Sequence, residues 1–283
     1  TRSWQLDNLI KWSKNFNNTH QFDVTLLINA EKYQSWFDSL STQGFSPTDA
    51  LGYHNVSAGS STSNVLRSND EYSTGDALMA RLFYSFKDRY MITLSMRRDG
   101  YSAFGLENPR AYFPAAALGW VFTEEKFLEN DFLTYGKLRF SWGENGNREI
   151  GRYDAFSDMG IGKYPYYTMG GVVYESNQLF VNRMSNPNLK WEKTRAINVG
   201  MDFTIKNGLF DGSLEFYNMR TLDLLIDRKL PDIVGFASVT ANLGEVQNKG
   251  LELNLNSRIM DKANFKWRAS LNFSFNRNKI IHL

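Results

Sequence analysis

Cysteine is absent from the 283 residues, which rules out a disulfide scaffold, a thiolate zinc site and a cysteine nucleophile. Proline is scarce, at 6, while aromatics reach 15%, a balance that argues against disorder. Neither sign of charge dominates: 32 basic against 30 acidic residues leave +2, too little for a bulk nucleic-acid binder, so no nucleic-acid partner is expected. Long apolar runs are missing too. The longest, Tyr112 to Phe122, is 11 residues and contains a proline, whereas a spanning helix needs about 20. No basic segment followed by an apolar one opens the chain, so no signal peptide is visible. The sequence begins Thr-Arg-Ser-Trp without an initiator Met, as a mature form or a fragment does.

Signatures of catalysis are equally sparse. His20, His54 and His282 share no metal-ligand spacing, and there is no G-x-S-x-G elbow, HExxH or P-loop. The glycine-spaced GENGNREIG at 143–151 precedes no helix, so a dinucleotide reading fails. A carboxylate pair such as Asp154 and Asp158 could serve a glycosidase, but acidic loop residues are usually just solvated. The expectation is no enzyme, no cofactor, no metal and no catalytic residue.

What is present is alternation with period two almost throughout. Phe22, Val24, Leu26, Ile28 and Ala30 alternate with polar partners, as do Leu78 to Phe86, Tyr90 to Met96, Leu138 to Trp142, Ile197 to Phe203, Leu214 to Phe216, Leu251 to Leu255 and Phe265 to Phe275. Trp4 to Trp12 and Tyr112 to Phe122 bring the count to ten strands. Several run nine residues or more, whereas a globular strand averages five to six and a tilted bilayer-crossing strand needs about 9–11. A mean hydropathy of −0.43 is no objection, because a barrel strand averages a wet and a greasy face.

The connections alternate in length. Short ones fall at Asn15 to His20, Lys87 to Arg89, Lys206 to Gly208 and Met260 to Asn264; Glu124 to Asp131 is of medium length. Asn207-Gly208 predicts a two-residue hairpin turn. Long polar connections fall near 37–73, 99–111, 146–190 and 221–246. Short periplasmic turns and long external loops are the pattern of an outer-membrane barrel. Phe22, Tyr84, Phe86, Tyr90, Phe203, Phe210, Phe265 and Trp267 lie toward the short turns, with Trp4, Trp142 and Phe275 toward the long loops, as interfacial girdles require. The expected fold is all-β, an antiparallel up-and-down transmembrane β-barrel. A soluble carbohydrate-binding β-sandwich is the alternative.

Six blocks carry a family resemblance: ARLFYSFKDRYMITLSMRRDGYSAFG at 80–105, AYFPAAALGWVFTEEKFL at 111–128, LRFSWGENGNREIGRYD at 138–154, NPNLKWEKTRAINVGMDFTIKNG at 186–208, SLEFYNMRTLDLL at 213–225 and NLGEVQNKGLELNL at 242–255. Their content and order resemble the SusC/RagA family of TonB-linked outer-membrane transporters. The resemblance implies about ten strands of a larger barrel of the 22-stranded type, with the N-terminal plug domain and the remaining strands absent from residues 1–283. A small stand-alone pore is the rival, since even strand counts from 8 upward occur. Each block also has a structural reading: Lys87-Asp88-Arg89 makes a tight charged turn, Phe113-Pro114 begins a strand, Gly119-Trp120 sets a ring beside a residue without a side chain, and Asn186 to Glu192 closes a long loop.

The resemblance implies residence in the outer membrane of a Gram-negative, Bacteroidota-like cell, in contact with its lipid. It implies import of glycans or peptides together with a SusD-like surface lipoprotein, with TonB acting on the absent plug. The strand phase turns Arg81, Arg97, Arg139, Asp202, Glu215, Glu252 and Arg268 toward the lumen, since Arg or Lys on the lipid face costs about 2–4 kcal/mol at mid-bilayer. They are read as holding the plug or one another, with Arg97 and Arg139 as candidates for substrate contact. Tyr164, Tyr166 and Tyr167, among glycines at 159–171, are candidates for stacking on a sugar or for packing a loop or lid; Trp36 to Tyr53 shares that mix.

Overall fold

A computed structural model describes residues 1–45, 55–60, 64–128, 131–167, 170–171 and 173–283. Ten strands form one antiparallel meander: β1 (Arg2–Phe16), β2 (His20–Ser41), β3 (Val65–Phe86), β4 (Tyr90–Tyr101), β5 (Arg110–Val121), β6 (Leu133–Asn147), β9 (Glu192–Ile205), β10 (Phe210–Leu222), β13 (Glu245–Lys262) and β14 (Phe265–His282). Two hairpins stand apart from it: β7 (Asp158–Tyr167) with β8 (Val173–Arg183), and β11 (Leu225–Lys229) with β12 (Ser238–Asn242). They fold within the segments 146–190 and 221–246, which the sequence reads as loops. β2 and β3 likewise continue in register to Ser41↔Val65, occupying both ends of 37–73.

Register separates the two faces. Phe22, Tyr84, Ile92, Leu118, Phe140, Val199, Phe216, Leu251 and Phe275 align across nine strands. The neighbouring row on the opposite face is Gln21, Ser85, Met91, Gly119, Arg139, Gly200, Glu215, Glu252 and Ser274. The apolar row is uncovered, with Leu118 53%, Phe140 43% and Phe275 59% exposed. A surface of this extent does not belong in water. On β3 it runs from Leu78 to Phe86; nine residues at about 3.3 Å each, tilted about 40°, rise roughly 23 Å, close to the ~25 Å apolar band of outer-membrane barrels. The soluble sandwich therefore fails, for no second sheet covers this face among the described residues.

The sheet bends toward its polar face. Arg148, just past β6, pairs with Glu31 of β2 at 2.5 Å, whereas four strand spacings in a flat sheet would separate their strands by about 19 Å. β1 and β14 do not pair with each other, so the ten strands leave two open edges. A ten-stranded pore closed on itself is thereby corrected: unpaired edge backbone is not tolerated in hydrocarbon.

The short-turn rim is tightly made. Asn17 and Asn18 (φ 53 and 51) and Lys87 and Asp88 (φ 52 and 51) adopt consecutive left-handed conformations, closed by Thr19 N–H to Phe16 C=O and Arg89 N–H to Phe86 C=O. This is I′-type geometry, whose twist matches the flanking strands. Asn207-Gly208 departs from expectation: the connection from Ile205 to Phe210 takes four residues, Lys206 to Leu209. Arg258 of β13 donates from Nε to the Gly208 carbonyl and from its backbone N–H to Leu209, which pins the wider turn from the adjacent strand. Aromatic contacts run along this rim, from Phe16–Phe22 (5.9 Å) through Phe22–Tyr84 (4.7 Å) and Phe86–Tyr90 (6.3 Å) to Trp120–Phe122 (5.9 Å). Lys14, Lys87 and Lys206 place their ammonium groups over Phe16, Phe86 and Phe132. Trp120 faces away from Gly119, which instead lies against Met91 and Lys137, so the glycine serves the polar face and not the ring beside it.

Glu125, in the turn between β5 and β6, clamps this rim. It accepts hydrogen bonds from the Tyr90 hydroxyl, Trp120 Nε1 (3.3 Å) and Arg89 Nη1 (3.0 Å). The Tyr90 hydrogen bond, helped by Trp120 and Arg89, holds its carboxyl below the usual carboxylate range. A lowered folded pKa gives stability that is complete above the unfolded value and is lost as the pH falls through the folded one. Thermal unfolding of the detergent-solubilised protein should therefore shift downward on acidification below the ordinary carboxylate range, and Glu125→Gln should remove that part of the pH dependence; an unchanged profile contradicts the clamp. Separately, Phe140→Lys should cost about 2–4 kcal/mol of barrel stability in lipid vesicles, while Ser141→Lys, one residue on and facing the other way, should cost little. Equal losses in denaturant titrations would overturn the assignment of faces.

Candidate functional site

The polar face carries two separate clusters. Toward the short turns, Arg139 of β6 donates from Nε and Nη2 to the two carboxylate oxygens of Asp202 on β9 (2.8 and 2.9 Å), and its Nη2 lies 3.5 Å from Glu215 of β10. Its register neighbours on both sides are glycines, Gly119 and Gly200. A side chain on Gly200 would press on the guanidinium at 3.0–3.1 Å, so the bare backbone lets Arg139 lie along the wall and reach two carboxylates. Glu252 is aligned with Glu215 as the next residue of the row. The sequence names all four residues and reads them as holding the plug or one another; which carboxylates Arg139 engages comes from the register of β6, β9 and β10.

Toward the long loops lies a cavity of about 710 Å³. Its lining includes Gln5, Asp7, Asn29, Glu31, Ser95, Arg97, Asp99, Glu144, Arg148 and Trp191. Arg97 forks onto Asp99 through Nε and Nη2 (2.7–2.9 Å). Asp7 accepts from Gln5 Nε2 (2.9 Å) and Asn29 Nδ2 (2.7 Å), and Glu144 pairs with Arg195 (2.7 Å). Five carboxylates of the lining, Asp7, Glu31, Asp76, Asp99 and Glu144, stand against Arg97 and Arg148, and Asp7 is met by two amides, so the cavity is polar and leans negative. Asp99 was readable from sequence, since i and i+2 share a face; Asp7, Glu31 and Arg148 needed the bend of the sheet. The β4 residue aligned with Arg139 is Met91, six residues from Arg97, or about 20 Å along the strand, so the two arginines belong to different places.

Above the cavity, the loops build the only buried apolar cluster among the described residues: Phe104, Ala111, Phe113, Ala155, Leu189 and Trp191. Trp191 stacks on Phe104 (5.0 Å) and meets Phe113 edge-on (5.7 Å). The segment 186–192 thus does more than close a loop. Asn186 Nδ2 donates to the Thr240 carbonyl, and Asn242 exchanges hydrogen bonds with Lys190, tying hairpin β11–β12 to this core.

Arg81 aligns with Thr25 and Ser95 on the polar face, and Arg268 aligns with Arg258 near the short-turn end of β14. Tyr164, Tyr166 and Tyr167 lie in β7, opposite Ser176, Tyr174 and Val173; their side chains are outside the described residues, as are 46–54 of the Trp36 to Tyr53 segment, with His54. Among the described residues no cluster of three or more His, Cys, Asp or Glu could hold a metal ion.

One face wet and paired, the other greasy and bare, with short turns at one rim and folded loops at the other, define the wall of an outer-membrane β-barrel. The match to known proteins is specific. The chain belongs to the TonB-dependent receptor-like β-barrel family, whose model covers residues 1–281. It is 33% identical to TonB-dependent receptor P26 of Formosa agariphila, over all of this chain and 28% of that protein. It is 36% identical to TonB-dependent receptor SusC of Bacteroides thetaiotaomicron, over 77% of this chain and 22% of that protein. The RagAB peptide transporter superposes over 99% of this chain and 30% of its own, with 26% identity and a TM-score of 0.86. The chain thus spans about a fifth to a third of these proteins. The family places it in the outer membrane as part of a β-barrel.

The Arg139 cluster yields a direct test. Arg139→Gln should leave Asp202 and Glu215 facing each other unpaired and lower stability by about 1 kcal/mol, the small size following from its partial exposure. Adding Asp202→Asn should recover most of the loss. A double variant that simply sums two losses in denaturant unfolding would show that the residues do not interact.

Proposed function

We propose that this chain is the barrel wall of an energy-coupled importer of glycans or peptides, working with a SusD-like surface lipoprotein and driven by TonB through a plug domain. The observation that carries the reading is the extended register with a paired polar face, together with the likeness to SusC and to RagAB, the latter described as a peptide transporter. Plug and further strands would complete the two open edges and fill the lumen.

In this reading Arg81, Arg97, Arg139, Asp202, Glu215, Glu252 and Arg268 face the lumen. Arg139, with Asp202 and Glu215, keeps the wall in register where the plug would sit. Arg97, at the cavity beneath the loop core, is the better placed of the two arginines for cargo, and Tyr164, Tyr166 and Tyr167 in hairpin β7–β8 are placed outside for first capture. Nothing here breaks a bond: the wall binds weakly and releases.

The test uses the full-length protein in its native cells, with fluorescent oligosaccharide and peptide pools as probes. Deleting the gene should reduce accumulation of one pool to background, re-expression should restore it, and collapsing the proton gradient should abolish it. Uptake that survives loss of the gradient would rule out energy coupling. A partner lipoprotein should co-purify in mild detergent, and its absence would remove that part of the reading.

A further inference from the structure

The lipid-facing side changes character abruptly at its external edge. Along β4 it is apolar through Leu94 and Met96 and then presents Arg98, which aligns with Leu78 and Tyr112 on its neighbours. The next row outward aligns Ala30, Asp76, Gly100 and Arg110. Arg98 Nη2 donates to Asp76 Oδ2 (2.7 Å) and Arg110 Nη2 to Oδ1 (3.4 Å), so one carboxylate steadies two guanidinium groups. Gly100 makes this possible, because a side chain there would collide with Asp76 Oδ1 and crowd Arg110. Lys32 aligns with Thr74 on the same face, one row further out, with its ammonium 5.0 Å over the Tyr72 ring. Arg98 and Arg110 against Asp76 leave +1 on the fork, while the Lys32 ammonium is drawn outward over Tyr72.

The pairing is only partial. A guanidinium carries five donors, and the Nε of Arg98 lies buried without a hydrogen-bond acceptor. In the row of Arg98 itself, and below Asp76 and Arg110, stand Ile28, Leu78 and Tyr112, exposed by 57%, 41% and 57%. A cationic fork at the edge of an apolar ledge at the level of the membrane interface matches an amphipathic anion, with phosphate on the guanidiniums and hydrocarbon on the ledge. We propose that Arg98 and Arg110 bind the phosphate of a lipid of the outer leaflet. The ledge favours a lipid over free phosphate, which would gain nothing from Ile28 and Leu78. By register Arg98 and Arg110 belong to the face opposite the cargo path, and neither lines the cavity, although Asp76 also borders it.

Full-length protein purified from outer membranes in mild detergent, stripped of lipid and titrated with phosphorylated lipid A under native mass spectrometry, tests this. Arg98→Gln with Arg110→Gln should lower retained lipid by roughly tenfold, the worth of a charge-assisted pair of hydrogen bonds. Arg81→Gln, a cation lost from the other face, should leave retention unchanged, and lipid A without its phosphate should bind as weakly as the double variant. Retention equal to the parent in the double variant, equal loss in Arg81→Gln, or complete displacement by excess inorganic phosphate would each overturn the proposal. If the double variant does not fold, Arg110→Gln alone should still lower retention, since that side chain is half exposed and only loosely tied to Asp76.

Discussion

In hydrocarbon, a backbone N–H or C=O has no water to fall back on, so each strand must satisfy its neighbours. The rest of this structure follows from that demand. The ladder links all ten strands of the meander, with bulges in β6–β9 and β13–β14, and it reaches into the turns: Lys87 N–H meets the Thr19 carbonyl, Val121 N–H meets Arg89, and Lys206 N–H meets Phe132. Pro114, which has no N–H, lies where β5 has not yet met β6, whose pairing begins at Ala115. Hairpins of two to four turn residues, with one wider connection between β5 and β6, keep neighbours in register at one rim.

Once register is fixed, side chains have no freedom of face, and the two solvents sort them. Every residue of the row from Phe22 to Phe275 must suit lipid, and every residue of the row from Gln21 to Ser274 must suit water or protein. Charge is affordable only on the second, where Arg139 meets Asp202 and Arg97 meets Asp99. Glycine enters where a long side chain must lie across its neighbour, as Gly200 does beneath Arg139.

The sequence discloses these strands because alternation is local: eight or nine residues suffice to show a greasy side. It does not disclose how far β2 and β3 run, and the reason is physical. Beyond Ala30 and Leu78 the outer face leaves the membrane, both faces meet water, and Lys32, Gln34 and Thr74 no longer contrast with their neighbours. The hairpins inside the long connections are hidden for the same reason, and β11 and β12 are only five residues each. For the site, Arg97 and Asp99 share a face two residues apart and are readable. The Arg139–Asp202 pair spans 63 positions and joins strands separated by a loop with its own hairpin, so only the register of β6 against β9 brings it together. The Asn207-Gly208 signal was real for a turn but could not foresee Arg258 of β13 fixing its width.

A wall that is one sheet thick has no interior, and this explains where the buried apolar cluster lies. Leu118 or Phe140 gains its stability from lipid, so burial inside the protein is needed only where lipid ends. At the short-turn rim that need is met by a shallow belt of rings and the Glu125 clamp. At the other rim the segments are long, and a hairpin of ten-residue strands is marginal alone. Phe104, Leu189 and Trp191 supply there the core that the membrane supplies below, and Asn186 and Asn242 fasten hairpin β11–β12 to it. Among the described residues, the loop segments therefore form a small packed layer over the barrel wall. Trp191 belongs both to that layer and to the lining of the cavity that holds Arg97 and Asp99, so the core of the loops is also the roof of the cavity.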